Sequence, residues 1–222
     1  MSKSTKDKNK GIAGLMLLFG WLLFILLVLL FYFYFKDDLP FLKNDDGKGV
    51  VSQTSEEPQQ YETVYSYQTN ANLDINSLMI EYFAALSVCD QEKLQSLVTD
   101  PTQFNDMTDV QAKAQLIKQY SNINCYTLPG NTDDATIVYV TCNLTIADVT
   151  SSPLDISSFY VVKTESGYKI NNGTLDAATT EYINKVQASE DIQELYQTVL
   201  DNINTCISND AAFAEFYQKY LQ

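Results

Sequence analysis

Residues 121–147 read SNINCYTLPGNTDDATIVYVTCNLTIA, and their pattern indicates the fold class of the chain. Apolar and β-branched residues alternate with polar ones on both sides of the polar turn 129–134. This period of two, interrupted by turn-forming residues, predicts strands 121–128 and 136–147 paired as an antiparallel hairpin. The middle of the chain is therefore predicted to be a β-hairpin.

The segments around this hairpin predict a second hairpin and several helices. The second hairpin is expected over residues 156–170, where Gly167 can supply the positive φ of its turn. Before the strands, apolar residues at helical spacing predict a helix over 75–86 with Asp74 as its N-cap, and Asp90 caps a second helix. Helices followed by a meander of strands predict an α+β domain whose helices pack on one face of an antiparallel sheet.

Further helices are predicted on both sides of the strands. Thr108 is expected to cap a third helix that carries an apolar stripe. The members of that stripe are Val110, Ala114, Ile117 and Tyr120. After the strands, segment 177–186 and the regular stripe 192–207 read as helices, and Asp210 is expected to cap the last helix.

An unbroken apolar run, GIAGLMLLFGWLLFILLVLLFYFYF, occupies residues 11–35. As a helix, its 25 residues would be about 37 Å long, enough to cross a hydrocarbon core of about 30 Å. Residues 1–10 carry four lysines, which predicts a cytoplasmic N-terminal tip and an extracytoplasmic remainder. A cleaved signal peptide fits less well, because the run is long and ends in bulky aromatic residues. We therefore predict a single-pass protein of the cell membrane.

The remainder of the chain divides by composition. Residues 36–72 are polar and rich in turn formers, which predicts a flexible tether. Residues 73–175 hold the first helices and the strands, and residues 176–222 read as a C-terminal helical extension. Beyond the apolar run, ten lysines stand against 27 acidic residues, a formal net charge of −17. Such an acidic surface excludes nucleic acid as a partner and disfavours anionic lipid.

The four cysteines, Cys89, Cys125, Cys142 and Cys206, all follow the apolar run, where an oxidising compartment would permit disulfides. A hairpin that is symmetric about residues 133 and 134 would place Cys125 opposite Cys142, so a disulfide between them is predicted. The alternative is a pair of buried thiols. The pairing of Cys89 and Cys206 stays open. The chain contains no histidine and no Cys-x-x-Cys spacing, so no metal or cofactor is expected.

Two stretches resemble a known superfamily. Residues 85–98, ALSVCDQEKLQSLV, and residues 159–170, FYVVKTESGYKI, resemble the opening helices and the final hairpin of NTF2-like (cystatin-like α+β) domains. The resemblance covers residues 73–175. It implies a curved sheet wrapped around the first helix, forming a cone whose mouth can bind a ligand. Members include isomerases, dehydratases and many non-catalytic modules, some of them on bacterial membrane anchors, so the fold alone does not choose a function.

Catalysis in such a cone would require a carboxylate base and a hydroxyl donor. The tyrosines that we expect to line a pocket are Tyr82, Tyr120, Tyr139 and Tyr160. The acidic residues that the pattern places, Asp155 among them, are assigned to caps and turns. The sequence therefore predicts a protein that is not an enzyme.

The C-terminal helices could bury their apolar stripe on their own domain or present it to another protein. The candidate partner face consists of Phe213, Phe216, Tyr217 and Tyr220. The function predicted from these features is a membrane-anchored scaffold or interaction module of the bacterial cell envelope. It would bind an envelope protein or another copy of itself. The alternatives are small-ligand binding in the cone and, third, an isomerase-like enzyme using aspartate and tyrosine.

Overall fold

The computed structural model describes residues 65–221. This part of the chain folds as an antiparallel five-stranded sheet with six α-helices, which confirms the predicted α+β class. The strands are β1 (Gln68–Thr69), β2 (Ile117–Pro129), β3 (Ala135–Ile146), β4 (Leu154–Thr164) and β5 (Gly167–Ile170). The helices are α1 (Leu73–Val88), α2 (Gln91–Leu97), α3 (Thr108–Leu116), α4 (Ala177–Gln187), α5 (Glu190–Asn209) and α6 (Ala211–Tyr220), with a 3-10 turn at Pro101–Phe104.

The predicted membrane segment, residues 11–35, lies outside the described residues, as do the tip 1–10 and residues 36–64 of the predicted tether. Among the helices of residues 65–221, none has the length and apolar character needed to cross a membrane. Residues 65–72, which the sequence assigned to the tether, hold the short edge strand β1. Tyr65 packs edge-to-face on Tyr182 of α4, with ring centroids 5.9 Å apart.

The sheet is a meander in the order β1-β2-β3-β4-β5, so each strand pairs with its neighbours in sequence. The two long hairpins, β2–β3 and β4–β5, are those that the alternating patterns predicted. Gly167 has φ +113°, as its predicted turn required. Local alternation and turn chemistry are sufficient to place these strands.

Helices cover both faces of the sheet, so the prediction that they pack on one face is wrong. The even-numbered residues of β3, such as Val138 and Val140, lie in one core with Ile75 and Met79 of α1 (the α1 core). The odd-numbered residues lie in a second core under α4 and α5 (the α4–α5 core). Members of this second core include Ile137, Tyr139, Val186, Ile192 and Leu195. Eight of the twelve residues of β3 are apolar, and they fall on both faces of the strand, so both faces need cover.

The C-terminal helices are part of both cores. The start of α5 contributes Ile192 to the α4–α5 core, whereas Cys206 near its end lies in the α1 core. Helix α6 adds Phe213 to the α1 core, where this side chain is 1% exposed. Helix α5 therefore contributes side chains to the cores on both faces of the sheet.

Helix α1 begins with a different cap from the one predicted. The side chain of Asn72, not Asp74, accepts hydrogen bonds from the backbone N–H groups of Asp74 and Ile75, at 3.1 and 3.2 Å. Asp74 instead lies in the first turn, where a negative charge is favourable. Asp90 caps α2 as predicted, since its carboxylate accepts from the N–H of Lys93 at 3.0 Å. Asparagine and aspartate are similarly good caps, so composition could not separate two candidates two residues apart.

Candidate functional site

Asp155 is the one acidic residue that the structure moves from a predicted turn into a strand. It is the second residue of β4 and lies opposite Cys142 of β3. Directly opposed residues of a sheet share a face, and Cys142 belongs to the α1 core. The carboxylate of Asp155 is therefore on the α1 side of the sheet, and its assignment to caps and turns is wrong.

The carboxylate of Asp155 has weak hydrogen bonding for its half-buried position. The hydroxyl of Ser157 donates to it at 3.3 Å. Neither of the ion pairs found in residues 65–221, Lys93–Glu81 and Lys185–Glu181, includes Asp155. Burial raises the pKa of Asp155, and the opposing effects of the Ser157 hydroxyl, a backbone N–H and the more distant Lys113 are smaller.

The groups around Asp155 are polar but uncharged at neutral pH. Burial, and then the negative charge of Asp155, raise the pKa of Tyr120 to about 12. The same two causes raise the pKa of Cys142 to about 12. Burial also raises the pKa of Tyr82, whose hydroxyl interacts with that of Tyr120. We call these four residues the Asp155 cluster: the carboxylate interacts with Tyr120 and Cys142, and Tyr120 interacts with Tyr82. The two phenols and the thiol keep their protons at neutral pH.

Aromatic rings enclose this cluster from the α1 side. The ring of Tyr82 packs edge-to-face on Phe159, with centroids 5.5 Å apart, and the ring of Tyr120 lies 5.1 Å from Phe83. Tyr82, Tyr120, Asp155 and Phe159 are half-buried, whereas Phe83 is buried. A half-buried carboxylate against aromatic rings can exchange a proton with a neutral ligand or hold a ligand's hydroxyl or amine. Within the described part of the chain, no cluster of Cys, Asp and Glu is suited to a metal ion.

Two surface hollows lie away from this cluster. One, of about 580 Å³, is lined by Cys89 and by residues around Asp106. The other, of about 850 Å³, lies between the start of α1 and the ends of the central hairpin, near Asn72 and Thr127. Neither includes a member of the Asp155 cluster. Buried side chains of the α1 core lie between α1 and the sheet.

The four predicted pocket tyrosines do not line one pocket. Tyr82 and Tyr120 come together in the Asp155 cluster. Tyr139 and Tyr160 lie on the other face of the sheet, in the α4–α5 core. The reason is the strand period, since Tyr139 is an odd-numbered residue of β3 and Tyr120 pairs with the even-numbered Leu144.

The predicted disulfide is not formed, since both Cys125 and Cys142 are free and buried. The turn of the hairpin is centred one residue earlier than expected, with Pro129 opposite Thr136, so Cys125 pairs with Val140. Gly130 makes this turn possible, because a Cβ atom at that position would come within 2.6 Å of the Cβ of Ala135. Moving the centre by one residue moves every partner by two, which separates the cysteines along the strands.

The predicted partner face on α6 is largely used by the protein's own core. Phe213 is buried, and Phe216 and Tyr217 pack half-buried against the same α1 core. The rings of Phe213 and Phe216 stack with centroids 6.4 Å apart. Tyr220 keeps 43% of its surface exposed. Of the two alternatives, burial on its own domain and presentation to another protein, the first therefore holds for Phe213.

A different helix presents apolar side chains to solvent. On α1, Leu73 is 76% exposed, Ile80 52% and Val88 74%. Ser77 and Ala84 lie between them on the same side, and both are exposed. We call these five residues the outer face of α1. This face was not predicted from the sequence, because the stripe at helical spacing that predicted the helix is the buried one on its opposite side.

The border of this outer face carries a single ion pair. Nζ of Lys93 on α2 lies 2.8 Å from a carboxylate oxygen of Glu81 on α1. Both side chains are exposed, so the pair contributes little to stability. It neutralises Glu81, the acidic residue next to Ile80, and the five residues of the outer face carry no charge of their own.

Comparison of the chain with family models, curated proteins and solved structures found no match.

Proposed function

We propose that this protein is a single-pass, membrane-anchored docking module that acts outside the cytoplasm. Residues 11–35 would form the anchor, residues 1–10 would stay in the cytoplasm, and the folded domain would lie beyond the membrane. The length of the apolar run and the lysines before it support this arrangement. A scaffold or interaction role in the bacterial cell envelope follows from that location.

For the fold we propose an NTF2-like domain. An antiparallel meander with α1 on one face agrees with the resemblance carried by residues 85–98 and 159–170. Helices α4 and α5 on the opposite face are an addition to that pattern. They supply the second core, which the resemblance did not imply.

The observation that carries the docking function is the outer face of α1. Burying a leucine, isoleucine or valine side chain is worth about 1.5–3 kcal/mol, so three of them on one exposed helix face leave that free energy to be gained when another surface covers them. Contiguous exposed apolar surface marks binding sites for other proteins more often than chance. We infer that another protein surface covers Leu73, Ile80 and Val88 in the working state.

The test is photocrosslinking of the full chain in its native membrane, with a photoreactive residue in place of Ser77. We expect specific protein products that Ile80→Glu removes, because the charge would be buried in the interface. Leu200→Glu is the matched control, since Leu200 is an apolar α5 residue that is 43% exposed and lies outside the proposed surface. Products that persist unchanged in Ile80→Glu would contradict docking through α1.

A second function is favoured by one observation, the weakly bonded carboxylate of Asp155. In this alternative the Asp155 cluster binds a small neutral ligand, or acts on it, with Asp155 accepting a proton and Tyr120 donating a hydrogen bond. Perturbed carboxylates are concentrated at functional sites, which supports this possibility. The stability of Asp155→Asn tests this second function. A carboxylate retained for ligand binding should lower the stability of the empty domain, so its replacement by asparagine should raise that stability.

A further inference from the structure

We propose that the surface docked on the outer face of α1 is the same face of a second copy of this chain. This inference rests on the proposed docking function and names its partner. The two α1 helices would pack antiparallel about a two-fold axis that passes between Ile80 and Glu81. Such an interface is isologous, so each residue i that contacts residue j of the partner is matched by j contacting i.

The order of large and small residues on the outer face is symmetric about that axis. Leu73 and Val88 lie at equal distances from it on opposite sides, and so do Ser77 and Ala84. In an antiparallel pair, Leu73 of one copy therefore meets Val88 of the other, and Ser77 meets Ala84. At 1.5 Å per residue these contacts fall about 11 Å and about 5 Å from the axis. The same five residues would thus form a continuous apolar contact.

The small residues make the centre of this contact complementary in shape. Ile80 stands between Ser77 and Ala84, both of which are exposed and short. Near the axis, Ile80 of one copy can enter the hollow left between Ser77 and Ala84 of the other, in the manner of a knob entering a hole. Short side chains there also let the helix axes approach to about 8 Å, the close end of helix packing.

Charge does not oppose self-association through this face. The domain is strongly acidic, so two copies repel each other across most of their surfaces. Glu81 lies at the axis but is already paired with Lys93 at 2.8 Å. Two such pairs brought side by side can also attract crosswise. Asp74, the other acidic residue of α1, would come opposite the uncharged Ser87.

The size of the contact determines where the dimer should form. A helix of 16 residues is about 24 Å long, and a single pair of such helices is small beside the roughly 1,200–2,000 Å² of a standard stable interface. The contact would be weak between domains free in solution. Anchors in one membrane raise the effective concentration of the two copies, so the dimer is expected for the full chain in a bilayer.

The test is thiol crosslinking of the full chain in phosphatidylcholine vesicles. Cys89→Ser provides the background, because the other three native cysteines are buried. Copies carrying Ser77→Cys are mixed with copies carrying Ala84→Cys and treated with a short bismaleimide. Random collision in an equal mixture gives twice as much 77–84 product as 77–77 or 84–84 product, so we expect the 77–84 product to exceed each of the other two by clearly more than twofold. Adding Ile80→Glu to both copies should lower it by about tenfold or more, since the axis brings two substituted residues into one interface.

Leu200→Cys in the same background is the control for random collision. A 77–84 product no more abundant than the 200–200 product would overturn the inference. A 77–77 product that exceeded the 77–84 product would also overturn it, because it would require parallel helices. The docking function is tested separately, by photocrosslinking in native membranes. If Ile80→Glu removes a crosslink to a different protein there, docking through α1 holds even though the dimer is wrong.

Discussion

Asp155 at the start of β4 and Asp210 at the junction of α5 and α6 differ in how many hydrogen bonds their carboxylates accept. The carboxylate of Asp210 accepts from the N–H groups of Thr150, Ser151 and Phe213 at 3.0, 2.7 and 3.1 Å, and from the hydroxyl of Thr150 at 2.8 Å. Asp155 has the Ser157 hydroxyl at 3.3 Å. Hydrogen bonds to the charged form lower the pKa of Asp210 well below its ordinary value, whereas burial raises that of Asp155.

The difference separates a structural carboxylate from a candidate functional one. Asp210 is surrounded by donors, caps α6 and holds the β3–β4 connection, so its charge stabilises the fold. Asp155 lies among rings and neutral hydroxyls, so its charge is a cost that the domain tolerates. A group kept at a cost to stability is a better candidate for ligand binding than one that the fold needs.

The largest effect is expected for Asp210→Ala. The substitution removes the acceptor for four hydrogen bonds and leaves the N–H of Phe213 without its partner. We expect the melting temperature of the folded domain to fall by about 5–10 °C, measured by differential scanning calorimetry. Asp90→Ala is the matched control, because it removes a cap with one hydrogen bond at an exposed site. An equal loss in both variants would contradict the special role of Asp210.

The pH dependence of the Asp210 effect follows from the lowered pKa. Its charged form is favoured by folding, so the stabilisation is complete above the unfolded-state value of 3.8 and is lost as the pH falls below it. We expect the difference in melting temperature between the natural protein and Asp210→Asn to be largest at pH 5–7 and to narrow below about pH 4. A difference that stayed constant down to pH 2.5 would show that the lost contacts are not those of the charged carboxylate.

Asp155→Asn should change the melting temperature in the opposite direction from Asp210→Ala, and by a smaller amount. The pKa of Asp155 is raised, so the folded state is most favoured below the unfolded-state value of 3.8, and stability declines as the pH rises through the folded value. Removing the charge should therefore raise the melting temperature at pH 7 by about 2–4 °C, and the gain should vanish below about pH 4. Ser157→Ala is the companion variant, because loss of the one side-chain donor should lower stability at pH 7. A destabilised Asp155→Asn would overturn the view that this carboxylate is tolerated at a cost.

Many features set by neighbouring residues were predicted well from the sequence, although Asp74 and Thr108 do not cap α1 and α3 as predicted. Asp90 and Asp210 cap their helices as expected, and Gly167 turns the second hairpin. Helix α4, Ala177–Gln187, agrees with the predicted segment 177–186. Each of these depends on contacts within about four residues, which local chemistry controls.

Features set by distant residues were not predictable. Ile117 and Tyr120 continue the apolar spacing of the third predicted helix, yet they lie on β2 because they pair with Ile146 and Leu144. The turn centred one residue early sets the pairing of residues 124–129 with residues 136–141, and it separates the cysteines. Tertiary pairing overrides a spacing that helix and strand can share.

The Asp155 cluster could not be found from the sequence for a similar reason. Its members come from α1, β2, β3 and β4, and no local pattern joins them. Asp155 precedes the first alternating residue of the predicted strand, so it read as the end of a turn. Only the pairing of Asp155 with Cys142 shows that its side chain shares the face of the α1 core. The outer face of α1 was not predicted either, because the predicted helix, 75–86, includes Ile80 but neither Leu73 nor Val88.

The smallest effect is expected for a pair of tyrosines in the α4–α5 core, where satisfied and unsatisfied polar groups again stand side by side. The hydroxyl of Tyr139 is buried and has no hydrogen-bond partner among the described residues, whereas that of Tyr160 donates to the side chain of Asn131. Tyr139→Phe therefore removes a group that gains nothing from folding, and we expect a change in melting temperature below about 2 °C, or a slight rise. Tyr160→Phe leaves the Asn131 oxygen without this donor and should lower the melting temperature by more. An equal fall in melting temperature in Tyr139→Phe and Tyr160→Phe would mean that an ordered water bonds the Tyr139 hydroxyl. The contrast between bonded and unbonded groups would then apply only to Asp155 and Asp210.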